Sequence, residues 1–165
     1  MDNVLNKARA GQNTLEQLVS AIPGFSGYRE KELRRDADRL QREHLAARLD
    51  ECKKALNEAA NQATRSGGLD AINDIETARK RLDKVANRIR YADRGYAGFF
   101  DAIKVDDAML ARVYEFDLGL LAAVEDVRKE LTGTAAAEAV RAAIGKLDAL
   151  DSRIGERDEI LTGIR

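Results

Sequence analysis

The sequence has no tryptophan, one proline, one cysteine and one histidine. Each scarcity excludes something. A lone proline leaves long helices uninterrupted. With Cys52 alone no internal disulfide can form, which suits a reducing compartment. With His44 alone, a di-metal carboxylate bundle of the Glu-x-x-His type cannot be assembled. The surrounding "REHL" is not a zinc motif. Cys52 lies eight residues further along the same helix, outside the hydrogen-bond reach that a Cys/His nucleophile pair needs. No Walker, Rossmann or Ser-His-Asp pattern occurs, and "GGLD" is too short to cradle a phosphate. The longest apolar run, "LGLLAAV" over 118–124, falls far short of the ~20 residues that span a bilayer. The opening "MDNVLNKARAGQNTLEQ" lacks the apolar core of a signal peptide. A formal net charge of −1 sets up no global field towards nucleic acid or an anionic membrane. These absences predict a cytoplasmic protein that is no enzyme and has no catalytic residue, cofactor or metal.

What is abundant is Ala, Leu, Glu, Lys and Arg, the composition of long helices. The apolar spacing predicts helices over 13–22, 29–65, 70–92, 106–131 and 134–161 in a single domain, 1–165. Asn13 is the expected cap of the first, with Glu16 as its reciprocal partner and Pro23 as its stop. The second carries Leu33, Ala37 and Leu40, then a heptad seam through Leu45, Leu49, Cys52, Leu56, Ala59 and Ala63. "SGG" reverses the chain into a third helix with Ile72, Ile75, Ala78, Leu82, Val85 and Ile89 inward. Asp106 should cap the fourth, with Val105 and Leu110 as a hydrophobic staple. Its seam runs Leu110, Val113, Asp117, Leu120, Val124, Val127 and Leu131. The fifth follows through Val140, Ala143, Leu147, Leu150, Ile154 and Leu161. The fold class is therefore all-α: an antiparallel helical bundle with a long, coiled-coil-like first hairpin.

The aromatic residues are few and clustered. Six of the eight fall between Tyr91 and Phe116, several of them within "YADRGYAGFFDAI". The second helix outruns the third by about a dozen residues, ~20 Å at ~1.5 Å per residue. The segment after position 92 is placed to cover that overhang. Phe25, Tyr28, Tyr91, Tyr96, Phe99 and Phe100 are thus expected to form a mini-core at one end. Tyr114 and Phe116 would lie one helical layer away, and Gly95 and Gly98 would permit the bend. The rival reading is a ligand pocket with aromatic walls and the phenols of Tyr91 and Tyr96 at its mouth.

One stretch is biased in charge. Arg79, Lys80, Arg81, Lys84, Arg88, Arg90 and Arg94 face only Asp83 and Asp93. As a site this segment would grip an anionic partner, nucleic acid or lipid headgroups. As structure it complements the helix dipole and the acidic start of the fourth helix at Asp106, Asp107 and Glu115. "YREKELRRDADRLQRE" alternates in sign and reads as a solvated face. Asp117 interrupts an apolar seam, so it needs a buried partner, for which Arg81, Arg88 and His44 are the candidates. The fifth helix is rich in small residues: Ala135, Ala136, Ala137, Ala139, Ala142, Ala143, Gly145 and Gly155. They suit close packing inside the bundle, or a seam with a second copy.

"GYREKELRRDADRL" (27–40) and "RIRYADRGYAGFFDAIKVDDAMLARVYEFDLGLL" (88–121) resemble segments of small uncharacterised bacterial helical proteins with a Gly-Tyr-x-x-Lys/Arg-Glu element. That resemblance implies an all-helical fold and brings no reaction with it. The long hairpin is similar in outline to phage-shock-type membrane-remodelling proteins. The first helix, with Lys7 and Arg9 but no Trp or Phe on an apolar face, makes a poor membrane anchor. The resulting expectation is a scaffold or adaptor presenting helix faces to protein partners, with self-association as an option. The alternative is an anion-binding module built on 79–94.

Overall fold

Threes and fours between apolar residues wind these segments into helices, and the seams so formed decide how the helices pack. The computed structural model describes residues 2–92, 97–102, 105–133 and 137–162, with the backbone alone for 2–5, 7, 8, 97 and 98. The helices are α1 (Asp2–Ala21), α2 (Lys31–Ser66), α3 (Leu69–Arg90), α4 (Ala97–Asp101), α5 (Asp107–Gly133) and α6 (Ala137–Thr162). No strand occurs among the described residues.

The long hairpin turns as its sequence predicts. Gly67 takes the left-handed conformation at φ 71°, and the Gly68 N–H reaches back to the Ala63 carbonyl at 3.0 Å. Asp106 caps α5, its Oδ1 accepting the Met109 N–H at 2.7 Å. α1, by contrast, starts well before Asn13, which sits inside the helix. Residues 2–12 carry no apolar period, but their Lys, Ala and Arg are good helix formers.

α2, α3, α6 and α5 form a ring in that order, α1 lies against α5, and α4 touches α2 and α6. Partners within each hairpin run in opposite senses: Lys53 pairs with Asp83 and Arg90 with Asp50. Lys146 likewise pairs with Glu130, and Arg157 with Asp117. Between hairpins the sense is parallel. Arg141–Asp74, Arg81–Asp148 and Lys84–Asp151 all join α3 to α6 at a constant offset of 67. Arg128–Glu51, at an offset of 77, and Arg48–Glu125 do the same for α2 and α5. The bundle is thus two antiparallel hairpins laid side by side. α3 and α5 stand at opposite corners, so the link carrying α4 must cross the end of the bundle.

Leu45, Leu49, Cys52, Leu56, Leu82, Val124, Leu147 and Leu150 are fully buried at the centre. After α1, residues 22–30 run back along α5, with Ile22, Phe25 and Tyr28 inward and Arg29 paired to Asp107 at 2.9 Å. The overhang of α2 is covered, though not through the side chains expected. Ala37 is buried, but Leu33 is 40% exposed and Leu40 is half-buried.

Candidate functional site

The α2 seam, followed from Leu45 towards the helix N-terminus, passes Gln41 and Arg42, then Asp38, then Arg34. All four are buried, Arg34, Asp38 and Gln41 to within 1%. The alternating charges around them do not form a solvated face throughout; that expectation is corrected by the register of the helix. α5 brings in Asp117 (0% exposed) and α6 brings in Arg157 (3% exposed) at the same level of the bundle.

These groups form one network. Arg157 donates through Nε to Asp117 Oδ1 at 2.7 Å and through Nη2 to Asp38 Oδ1 at 2.9 Å. The second Asp38 oxygen accepts from Arg42 Nε at 2.7 Å. Arg42 Nη1 also reaches the Arg90 carbonyl at 2.5 Å, tying α2 to the end of α3. Tyr28 donates its hydroxyl to Asp117 Oδ2 at 2.6 Å, and its own N–H is received by the Tyr114 hydroxyl at 2.8 Å. Two carboxylates therefore meet two guanidinium groups with no excess charge, the condition under which buried ions are tolerated. Burial pushes the Tyr28 phenol well above its ordinary range, and the Asp117 charge adds to it, so this hydroxyl keeps its proton. Burial works against the charge on Arg157, but Asp117 and Asp38 outweigh it and hold the guanidinium protonated. The partner expected for Asp117 among Arg81, Arg88 and His44 is instead Arg157, because α6 and not α3 shares a seam with α5 here.

Arg34 closes the layer above. Its Nε donates to the Tyr28 carbonyl at 2.7 Å and its Nη1 to the Ala102 carbonyl at 2.5 Å. Longer bonds run to the carbonyls of Phe99 at 3.4 Å and Arg29 at 3.3 Å. One buried cation thereby fastens both the returning segment and the crossover to α2. The rings pack around it. Tyr28 meets Phe25 and Phe99 edge-on, at 5.4 and 5.3 Å, and stacks on Tyr114 at 5.6 Å. Phe99 leans on Phe100 at 5.7 Å. The cluster is closed core made of Phe25, Tyr28, Phe99, Phe100 and Tyr114. Tyr91, just past the end of α3, is 67% exposed and lies outside it; Tyr96 lies outside the described residues.

The basic segment is largely engaged within the chain. Arg81 pairs with Asp148 at 2.7 Å, and Lys84 and Arg88 with Asp151 at 3.0 and 2.8 Å. Arg88 also reaches Asp158 at 3.6 Å. Arg90 pairs with Asp50, and Arg79 with Glu76 and the Asn57 amide oxygen. Lys80 is exposed, and Arg94 lies outside the described residues. The opposing charge comes chiefly from α6, not from the start of α5. Asp106 is used as a cap and Asp107 by Arg29.

Cys52 is buried, which pushes its thiol up to about 11 and leaves it a small core residue. His44, half-buried, has its proton affinity lowered by burial and then by Arg48. No group of three His, Cys, Asp or Glu side chains among the described residues can hold a metal ion. No helix among them is long and apolar enough to cross a membrane.

An open groove lies between α5 and α6, about 640 Å³, with Met109, Phe116 and Ile160 among its apolar residues. Arg112, Arg153 and three glutamates give it both signs of charge. Arg153 sits over the Phe116 ring at 5.6 Å. Gly119 makes that possible: a Cβ there would stand 2.6 Å from Arg153 Nη2. Neither this groove nor Arg157 is legible as special from motif reading. A signal for Arg157 does exist, since the α6 seam steps from Ile154 to Leu161 and leaves its intervening position to a charge. No protein-family model, curated protein or solved structure matches the chain.

Proposed function

We propose that the protein is a non-enzymatic helical scaffold or adaptor that presents helix faces to protein partners. The observation that carries this reading is where its charges are spent. Tyr28, Asp38, Asp117 and Arg157 bond one another inside the bundle, where they fix register. The α5–α6 groove, by contrast, opens to solvent with Met109, Phe116 and Ile160 set among charges of both signs. An amphipathic partner helix could lay its apolar stripe against these three residues, and arginine and aromatic side chains are enriched among those that anchor protein interfaces. Self-association through this or another helix face belongs to the same reading.

A photo-crosslinking amino acid placed at Glu115 or Glu159 in the native cell tests it. A discrete protein adduct at these groove positions, lost on Arg153→Glu, supports the scaffold. Absence of any adduct from either position, with tight binding of the purified protein to DNA or anionic vesicles, overturns it. The alternative is an anionic partner, nucleic acid or a membrane surface, held by 79–94. It draws less support, because an anion would have to displace Asp148, Asp151 and Asp50 from their arginines and lysine. Binding that weakens steeply with added salt would mark that alternative.

A further inference from the structure

We propose a binding site for a single water molecule inside the bundle, held by the side-chain amide of Gln41 beside the guanidinium groups of Arg42 and Arg157. Gln41 is 1% exposed. Neither its Nε2 nor its Oε1 has a hydrogen-bond partner among the described residues, and both atoms are out of contact with solvent. Buried amides are almost always paired, and those left unpaired by protein groups point to ordered water.

The space is of the matching size. A cavity of about 10 Å³ is lined by Gln41, Arg42 and Arg157 together with Leu45, Leu120 and Ile154. One water needs roughly 10–15 Å³ of such space and two or more polar neighbours. The amide supplies both a donor and an acceptor. A carboxylate or phosphate is too large for this volume, and an apolar guest would leave the amide unsatisfied. The water extends the layer of Asp38, Asp117 and Arg157 sideways towards Ile89 and Ala92, which also line the cavity.

The test is nuclear magnetic resonance on the intact protein. Cross-relaxation between water and the Gln41 side-chain amide protons should carry the sign of a long-lived bound water. Oxygen-17 relaxation dispersion should count one long-lived water fewer in Gln41→Met, which keeps the side chain's length while removing both polar atoms. No water contact at the Gln41 amide of the wild-type protein would overturn the proposal. So would an unchanged count in the variant.

Discussion

Replacing Arg157 by methionine removes the cation but keeps much of the aliphatic stem. Among the described residues Asp117 then retains only the Tyr28 hydroxyl, and Asp38 retains Arg42. Both carboxylates are 0% exposed in the native bundle. Removing one partner of a buried ion pair costs about 3–5 kcal/mol, because the other charge stays behind without compensation. In a domain of this size each kcal/mol lowers Tm by about 2–4 °C, so a fall of roughly 6–20 °C is expected. Thermal and urea unfolding followed by circular dichroism measure it. A second variant completes the logic. Tyr28→Phe, Asp117→Leu and Arg157→Leu together delete the Asp117 carboxylate with its donors and leave the Asp38–Arg42 pair, with Asp38 Oδ1 deprived of the Arg157 donor. That protein should be more stable than the single variant, because no buried carboxylate is left without a cation. Asp117→Leu should keep the fold, and Asp117→Ala should lower Tm. An Arg157→Met protein that melts with the wild type would refute the reasoning, as would a triple variant weaker than the single one.

Two glycines should respond in opposite directions. Gly27 has φ +92°, and a Cβ there would lie 2.6 Å from the Tyr114 hydroxyl that receives the Tyr28 N–H. Gly27→Ala should destabilise by at least about 1–3 kcal/mol from backbone strain alone. Gly145 lies within α6, where an added Cβ would meet nothing within 4 Å, so Gly145→Ala should stabilise by about 1 kcal/mol in urea titrations. Because burial holds the Cys52 thiol up to about 11, its reaction with a disulfide reagent at pH 8 should be slow in the folded protein and fast in urea. Equal rates would place the thiol in solvent. Burial raises the phenols of Tyr28 and Tyr114 above their ordinary value of 10.0. Their contribution to stability is complete below that pH and is lost as pH rises beyond it. Urea midpoints of a Cys52→Ala protein should therefore fall between pH 9 and 11.

The helices are legible in the sequence because a seam of threes and fours is a local signal, and the caps at Gly67 and Asp106 are chemical ones. Asp117 can be recognised as inward because apolar neighbours on both sides of it fix the phase. Arg157 and Asp38 occupy the same kind of position, but reading them by chemistry instead of phase places them in solvent. Their partners lie 40 and 119 residues apart along the chain, a separation that no local period encodes. The ring cluster shows the same limit. Proximity in sequence groups Tyr91 with Phe99, yet Tyr91 follows the end of α3 and is exposed. Tyr114, which spacing along the chain assigns to another layer, stacks on Tyr28 because the returning segment lies along α5. The crossing of α4 over the bundle end follows from the parallel docking of two hairpins, which only the tertiary ion pairs reveal.

The order in which the buried ions are made has a consequence for biogenesis. Asp38 emerges from the ribosome 119 residues before the guanidinium that faces it, an interval of roughly 6–24 s at about 5–20 residues per second. Throughout that time the first hairpin can zip through its leucines, while its upper end waits with a carboxylate only half answered. Completion of the interior is thus deferred to the arrival of α6, and a nascent chain halted before it would remain unlatched at the crossover end.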